Sequence, residues 1–402
     1  MLSNGLRDFA DKKVLLLQGP IGPFFYRFAK KLKQAGASVH KINFNGGDFI
    51  FYPFASVNYK KNLENFELFL KDFCIENKIE SMIVFNDCRP IHSIAKAVAQ
   101  EMNINFGVFE EGYIRPDYIT FENEGVNGHS LISKERSFYD SLEISQEYKT
   151  KKVGNTFRPM AFYAFCYWLA AFLFSWYFNN TLHHRSLSPL EIYPWIVSYW
   201  RKFKYVFTQR NVKKKIKTLP KHYFLVALQV HNDTQIYSHF HAGRVEVFIE
   251  DTILSFAKYS NNSDFLVIKH HPMDRGYREY SALIDSLTIR YGVDSRVLYV
   301  HDEHLPTLLD NAIGCVVINS TVGISALHHN CPVKVCGNAF YDIDGLTYQD
   351  SLNNFWQKAK ISKPNHELYL KFKNYVVIKT QINGSFYLDY KKSPFVITPS
   401  NL

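Results

Sequence analysis

Residues 81–109 read SMIVFNDCRPIHSIAKAVAQEMNINFGVF. The apolar run at 81–85 predicts a buried strand, the amphipathic run at 91–102 a helix, and 104–109 a second strand. A strand, a helix and a strand in this order form a βαβ unit, whose two strands are parallel. The stretch therefore predicts an α/β fold built on a parallel sheet.

The same alternation recurs on both sides of this stretch. Strands at 14–17 and 38–44 enclose a predicted helix at 24–35. From residue 223 the pattern resumes, with a helix at 245–259 and predicted strands at 223–228, 265–269, 297–300, 315–318 and 333–336. We therefore expect two Rossmann-like domains, at 1–148 and 221–349, separated by a helical aromatic-rich insert at 149–220 and followed by a helical tail at 350–402.

Composition narrows the class of protein. The 402 residues are 47% hydrophobic, which supports two cores and argues against disorder. The net charge of +10 favours an anionic partner, and the chain lacks an RNA-recognition or zinc-finger pattern, so we expect no nucleic acid. The six cysteines form no CxxC pair and predict reduced, buried thiols of a cytosolic protein. The polar N-terminus carries charges of both signs and does not resemble a secretory signal.

The predicted insert is unusual in composition. Residues 160–178 contain no charged side chain, a second aromatic stretch covers 193–207, and a basic run follows at 213–217. Tyrosine and tryptophan favour the membrane interface over the bilayer centre, so a spanning helix is disfavoured. Two alternatives stay open: a helix lying on the membrane surface, and a helix buried between domains.

Short polar clusters stand at the ends of predicted strands, where open α/β sheets bind ligands. They are Glu110-Glu111-Gly112, Gln229-Val-His-Asn232-Asp233-Thr-Gln235, His270-His271-Pro272 and Asn319-Ser320-Thr321. Adjacent carboxylates can leave one as a base near neutral pH, and a carboxylate fixed by amide groups, as at Asp233, can be a base or a nucleophile. Imidazole and hydroxyl groups suit a phosphate.

Structural explanations for the same clusters stay open. An acidic turn, an Asx turn, a structural histidine and an ordinary helix cap use these residue types. Gln18, Gly19 and Gly22 follow the first strand, but Gly19-x-x-Gly22 is not a dinucleotide fingerprint, and an oxidoreductase is disfavoured. His239-x-His241 has no further ligand at zinc spacing, so we expect no metal.

Four stretches resemble a known family: 15–25 (LLLQGPIGPFF), 43–48 (NFNGGD), 110–117 (EEGYIRPD) and 229–235 (QVHNDTQ). They are similar to the KpsS-type capsule polysaccharide proteins, and the similarity runs from about residue 13 to residue 345. The resemblance implies a Gram-negative β-Kdo transferase of GT-B type, with an acceptor-side N-terminal domain and a C-terminal domain that binds the CMP-sugar.

The resemblance also implies roles for the clusters. The donor would be CMP-Kdo, without a resident cofactor, and the acceptor a phosphatidylglycerol-type lipid at the cytoplasmic face of the inner membrane. Asp233 matches the nucleophile of a retaining double displacement, and His271, Ser320 and Thr321 match phosphate-binding positions. Glu110 and Glu111 match an acidic element of the active site where a base for the acceptor hydroxyl could sit, and either glutamate could take that role. Two alternatives remain: an enzyme that extends a Kdo-bearing lipid, and a non-catalytic membrane-associated assembly or export factor that binds other capsule proteins.

Overall fold

The computed structural model describes residues 5–143, 150–179, 182, 192–231 and 243–388. The chain divides into two compact units. Unit 1 comprises Met1–Leu131, Gln146–Pro189 and Asn374–Leu402, and unit 2 comprises Ile132–Ser145 and Leu190–Lys373. This division splits both the expected insert and the expected tail between the units, and the domain boundaries inferred from sequence stay predictions.

The described strands and helices are numbered in chain order through both units. The strands are β1 (Lys13–Leu16), β2 (Ser38–Asn43), β3 (Val57–Asn58), β4 (Ser81–Phe85), β5 (Asn105–Glu111), β6 (Tyr118–Asn123), β7 (Tyr223–Ala227), β8 (Phe265–Lys269), β9 (Val297–Val300), β10 (Gly314–Val317), β11 (Val333–Val335) and β12 (Gln381–Asn383). The α-helices are α1 (Phe24–Gln34), α2 (Gly46–Phe51), α3 (Phe66–Asn77), α4 (Pro90–Glu101), α5 (Arg136–Asp140), α6 (Phe157–Leu173), α7 (Ile192–Thr208), α8 (Arg210–Lys217), α9 (Val245–Tyr259), α10 (Ser281–Arg290), α11 (Leu305–Asn311), α12 (Val322–His328), α13 (Leu352–Lys358) and α14 (His366–Thr380).

Unit 1 contains a seven-stranded sheet in the order β12-β6-β5-β4-β1-β2-β3. Strands β1 to β5 pair in parallel, and β6 is antiparallel to both of its neighbours. Successive side chains of a strand point to opposite faces, and helices cover both faces of a parallel sheet, so its strands are apolar throughout. Leu15 and Leu16 of β1 and Met82 and Ile83 of β4 are accordingly all fully buried.

Unit 2 contains a five-stranded sheet, all parallel, in the order β11-β10-β7-β8-β9. Phe224 and Val226 of β7 point into a core that also holds Trp356 of α13. The indole of Trp356 donates a 2.8 Å hydrogen bond to Ser255 Oγ, which satisfies its buried N–H. The predicted α/β class, with two Rossmann-like sheets and aromatic-rich helices, is confirmed.

Helix α6, from the first aromatic stretch, packs in unit 1 through one face. Gly46 and Gly47 at the start of α2 let it approach, since a Cβ at Gly46 would lie 2.2 Å from the Ala170 carbonyl oxygen and one at Gly47 2.5 Å from the Tyr167 ring. The outer surface keeps large apolar side chains exposed: Phe157, Phe162, Phe165, Leu169, Phe172 and Leu173. The helix is therefore only half-buried.

Helix α7, from the second aromatic stretch, also has two different faces. On its inner face the Tyr205 ring stacks on His301 at 3.7 Å and Arg201 donates a 2.7 Å hydrogen bond to the Arg275 carbonyl. Its outer face exposes Tyr193, Trp195, Ile196, Tyr199, Trp200, Phe203, Val206 and Phe207. Among the described helices, none combines the length and the hydropathy needed to cross a membrane.

Candidate functional site

Each sheet has one place where the strand order reverses. In unit 1 it lies between β1 and β4, and in unit 2 between β7 and β10. Ligands of open α/β sheets bind beyond the carboxyl ends of the strands at such switch points. The loops that leave these four strands are therefore the candidate site elements, and we describe them unit by unit.

At the switch point of unit 1, a buried polar chain links the loops after β1 and β4. Arg89 Nη1 donates to Gln18 Oε1 at 2.7 Å, and Gln18 Nε2 donates to Asp48 Oδ2 at 3.2 Å. The three residues are 8% or less exposed. Gln18, which the sequence suggested as a substrate ligand, thus holds Arg89 and Asp48 in place and presents little surface of its own.

The motif at 43–48 explains how α6 is held. Asn45 caps α2 by accepting from the Asp48 N–H at 2.9 Å, and its Nδ2 donates to the Tyr167 hydroxyl oxygen at 2.7 Å. That hydroxyl donates to Asp48 Oδ1 at 3.1 Å. Burial raises the pKa of Tyr167 well above its usual value, so the hydroxyl keeps its proton.

Packing accounts for Gly19 and Gly22 in the loop after β1. A Cβ at Gly19 would lie 2.8 Å from the Phe25 ring, and Gly22 has a φ of +106° with the Tyr163 ring close by. The cavity beside the loop, which Lys41 also lines, has a volume of about 20 Å³. That is room for one water and not for a sugar or a nucleotide. Burial lowers the pKa of Lys41 to about 8.

Glu110 and Glu111 are adjacent in β5 and so point to opposite faces of the sheet. Glu110 accepts from Asn86 Nδ2 at 3.1 Å, whereas Glu111 accepts from the Tyr387 hydroxyl at 3.3 Å. They do not form a pair of carboxylates on one face. The next residue is Gly112, and a side chain does not fit there, because a Cβ would lie 2.1 Å from the Tyr118 carbonyl oxygen.

The loop after β4 holds a carboxylate that sequence reasoning missed. The Asp87 side chain is fully buried, and its Oδ2 lies 2.8 Å from His129 Nδ1. Cys88 Sγ lies 3.5 Å from Asp87 Oδ1. The Lys96 ammonium lies 3.9 Å from the same oxygen, so Asp87 is paired with a lysine as well as with the imidazole.

A second buried carboxylate, Glu122 of β6, holds the segment that contains His129. Glu122 accepts from the Tyr113 hydroxyl at 2.7 Å and from Ser130 Oγ at 2.5 Å. The Tyr113 oxygen in turn accepts from the Asn127 N–H at 2.6 Å. Burial raises the pKa of Glu122 to about 7. The segment from Asn127 to Ser130 is therefore fixed to the sheet by hydrogen bonds at both ends.

At the switch point of unit 2, two side-chain amides join the loops after β7 and β10. Gln229 Nε2 donates to Asn319 Oδ1 at 2.9 Å, and the Asn319 N–H donates to Gln229 Oε1 at 3.2 Å. Ser320 Oγ accepts from the Val322 N–H at 3.2 Å. Thr321 stands at the N-cap position of α12 and is half-buried. The predicted residues Gln229, Asn319, Ser320 and Thr321 are thus brought together.

The two histidines after β8 differ in their surroundings. His270 is buried, and its Nδ1 lies 2.6 Å from the Tyr299 hydroxyl. Burial and the neighbouring His301 lower the pKa of His270 to about 3, so it stays neutral. His271 is half-buried and accepts from the Met273 N–H on Nδ1 at 3.2 Å. A neutral ring that accepts on Nδ1 carries its proton on Nε2. Pro272 is exposed.

Asp274 ties the loop after β8 to the loop after β7. Its side chain lies at 2.5 Å from His231 Nδ1 and accepts from the His231 N–H at 3.1 Å. Asp274 is fully buried. Sequence reasoning missed it, although an acid shortly after a strand-end His-Pro pair is a detectable signal. Asn232, Asp233 and Gln235, and with them His239 and His241, lie outside the described residues.

The family of the chain follows from comparison with known proteins. A sequence model of the family "Capsule polysaccharide biosynthesis protein" matches residues 80–387. The capsule polysaccharide export protein KpsS of Escherichia coli is 41% identical over 94% of this chain and 97% of its own length. The capsule polysaccharide modification protein LipB of Neisseria meningitidis serogroup B is 38% identical over 96% of this chain and 95% of its own. The chain belongs to the capsule polysaccharide biosynthesis protein family, and the resemblance inferred from sequence is confirmed.

Solved structures match more loosely. KpsC of Thermosulfurimonas dismutans, a beta Kdo 2,7 transferase, gives a TM-score of 0.37 at 15% identity and covers 89% of both chains. The lipopolysaccharide outer core galactosyltransferase WaaB gives a TM-score of 0.36 at 9% identity and covers 91% of this chain and 99% of its own length. Likenesses this loose support no conclusion about chemistry, and the fold assignment rests on the two sheets themselves.

Proposed function

We propose that this chain is a retaining β-Kdo glycosyltransferase that moves Kdo from CMP-Kdo to a phosphatidylglycerol-type lipid and so primes the oligo-Kdo linker of a capsular polysaccharide. Family membership supports the capsule context. The observation that carries the proposal is the set of hydrogen bonds that join the loops after β7, β8 and β10 in unit 2, through Gln229 with Asn319 and through His231 with Asp274.

The joined loops suit a nucleotide phosphate as leaving group. In our proposal the Nε2–H of His271 and the hydroxyls of Ser320 and Thr321 donate hydrogen bonds to the CMP phosphate. His270 is buried and neutral and so offers the phosphate no charge. In our proposal His270 and Pro272 therefore shape the loop. Asp233, with Asn232 and Gln235 beside it in sequence, acts as nucleophile in a double displacement. Neither a metal nor a resident cofactor is required.

Unit 1 is proposed to bind the acceptor. Glu110 of β5 is hydrogen-bonded to Asn86 of the loop after β4, so the base for the acceptor hydroxyl is sought in that group of residues and not at Glu111, whose carboxylate is held by Tyr387. Gln18, Gly19, Gly22 and Gly112 shape this edge, as their buried contacts and close approaches support.

Attachment to the inner membrane, at its cytoplasmic face, is part of the proposal. The described residues 150–179 and 192–217 contain no acidic side chain, and α6 and α7 expose aromatic rings beside lysines and arginines. Exposed aromatic and basic side chains on one helix face suit the headgroup region of an anionic bilayer.

A second candidate is a non-catalytic assembly or export factor that works with other capsule proteins. The observation in its favour is the name of the Escherichia coli relative, an export protein. This candidate predicts lipid binding without turnover of CMP-Kdo. A third candidate, an enzyme that extends a Kdo-bearing lipid, differs from the first only in its acceptor.

The test is an acceptor panel with freshly made CMP-Kdo, read by mass spectrometry of the lipid. Phosphatidylglycerol gaining one Kdo supports priming. Product only on a Kdo-bearing lipid would establish extension, and no product on either, with vesicle binding intact, would favour the export factor. A parallel reaction with EDTA should give the same rate of Kdo transfer. Loss of transfer in the presence of EDTA would contradict metal independence.

A further inference from the structure

The inner face of α7 is bonded to the loop that follows β8 in unit 2. We call this loop, residues 270–280, the nucleotide loop, because it leaves the carboxyl edge of the sheet and carries His271. Arg201 Nη1 donates to two of its backbone carbonyls, at 2.7 Å to Arg275 and at 3.3 Å to Arg278. These bonds join the helix to the backbone of the loop, so the two move together.

Two further contacts seat the helix on the same loop. Gly276 lets the start of α7 approach, because a Cβ there would lie 2.0 Å from the Pro194 carbonyl oxygen. Near the other end of the helix, the Tyr205 hydroxyl donates to Glu279. Burial raises the pKa of Tyr205, so the hydroxyl keeps the proton that it donates. The contacts with α7 therefore reach from Arg275 to Glu279.

The inner face continues to the neighbouring strand end. The Tyr205 ring stacks on His301, just after β9, with 3.7 Å between the ring centroids. Gln209, which follows α7, bonds the same histidine twice: its Nε2 lies 2.7 Å from His301 Nδ1, and its Oε1 accepts from the His301 N–H at 3.2 Å. Pro194, Arg201, Tyr205 and Gln209 recur at helical spacing, so these contacts share one face.

The opposite face of α7 suits an anionic lipid surface. Its exposed aromatic rings lie beside cations: the Lys204 ammonium is 5.5 Å from the Trp200 ring centroid, and the Arg210 guanidinium, at the start of α8, is 4.9 Å from that of Phe207. Residues 192–217 contain no acidic side chain. Charge complementarity thus favours an anionic bilayer as the occupant of this face.

We propose that α7 couples the membrane to the nucleotide site, with Arg201 and Tyr205 as the positioning residues that transmit the effect to the nucleotide loop. This rests on the proposed function. Both faces belong to one helix, so the aromatic face points fully outward only while the inner face is seated on the loop. A ligand that binds one of two positions more tightly shifts the population toward it. Lipid at the outer face therefore favours the seated loop, and CMP at the loop strengthens lipid binding by the same factor.

The experiment measures the Kd of the full chain for CMP by isothermal titration calorimetry, alone and with vesicles of phosphatidylserine or phosphatidylcholine. Phosphatidylserine is anionic and has no glycerol headgroup, so its effect is separate from that of the sugar acceptor. In wild type it should lower the Kd for CMP at least about fivefold, the low end of coupling between sites in proteins. Phosphatidylcholine should leave the Kd unchanged. Saturating CMP should raise partitioning to phosphatidylserine vesicles by the same factor as the Kd falls.

Two variants and a matched control locate the coupling. Arg201→Met and Tyr205→Phe should each lose the effect of phosphatidylserine on the Kd, and Tyr205→Phe does so while keeping the ring that stacks on His301. The control is Arg296→Met. Arg296 Nη1 also donates to two backbone carbonyls, at 2.9 Å to Asn261 and at 3.2 Å to Asp264, but it precedes β9 at the amino edge of the sheet. This variant should keep the wild-type effect.

Three results would overturn the inference. They are a wild-type Kd for CMP that phosphatidylserine vesicles leave unchanged, a full vesicle effect in both Arg201→Met and Tyr205→Phe, and an equal loss of the effect in Arg296→Met. A protein that binds CMP without responding to vesicles would leave the proposed function standing. No binding of CMP by wild type, with or without vesicles, would instead refute the proposed nucleotide site and the inference with it.

Discussion

Trp200 lies on the exposed face of α7, and its replacement by alanine should weaken binding to anionic vesicles. The side chain is 60% exposed. A fully packed tryptophan buries up to about 250 Å², so about 150 Å² of Trp200 is available to leave water. If half of that area enters the headgroup region, at about 25 cal/mol per Å², the variant loses about 2 kcal/mol of binding free energy.

The assay is sedimentation with sucrose-loaded vesicles of phosphatidylglycerol and phosphatidylcholine. A loss of about 2 kcal/mol corresponds to a partition coefficient about 30-fold lower. Ile289→Ala is the control, because Ile289 is 72% exposed on α10, a different helix of the same unit. Both variants should melt like wild type. Equal partitioning of Trp200→Ala and wild type would refute a lipid-binding role for α7.

Four further predictions concern charged side chains and one buried hydroxyl. Lys214→Gln with Lys217→Gln should weaken vesicle binding at low salt, because both ammonium groups are exposed. Lys213→Gln should instead lower the melting temperature slightly, since its ammonium is 2.9 Å from a carboxylate of unit 2. Glu122 has an ordinary pKa near 4.5 that burial raises to about 7, so its contribution to stability is lost as pH rises through this range. Glu122→Gln should therefore raise the unfolding free energy at pH 8 by up to about 3 kcal/mol and flatten its dependence from pH 5 to 8. Tyr167→Phe should cost about 1–3 kcal/mol in thermal or urea unfolding, because Asn45 and Asp48 lose a buried partner.

Three of these predictions have a contradicting result of their own, and Lys213→Gln would contradict its prediction by melting like wild type. A double lysine variant that sediments like wild type at low salt would remove the basic run from membrane binding. If the unfolding free energy of Glu122→Gln depends on pH as that of wild type does, the Glu122 carboxyl is ionised in the folded chain. A Tyr167→Phe variant as stable as wild type would mean that α6 is held by apolar contacts alone.

The strands and helices were predictable where apolar patterning is strong. The expected elements at 81–85, 265–269, 297–300 and 245–259 match the observed β4, β8, β9 and α9 residue for residue. Strand β12 was missed because its three residues pair with β6, more than 250 residues earlier in the chain, and have no periodic pattern of their own.

The candidate site was predictable at strand ends, and less so in its supporting contacts. Gln229 and the segment Asn319 to Thr321 come together as parallel strands require. Asp87 and Asp274 were missed because their partners, His129 and His231, come from loops 42 and 43 residues away. The alternation of side chains along β5 already separates Glu110 from Glu111.

The most direct test of the central claim compares wild type with Asp233→Ala and Asp233→Asn in one reaction with CMP-Kdo and a fluorescent phosphatidylglycerol. Mass spectrometry of the lipid should show the addition of one Kdo by wild type and none by either variant, with the variants still bound to vesicles. Kdo addition by the variants at the wild-type rate would contradict the account, as would a wild type that binds the lipid and leaves CMP-Kdo intact.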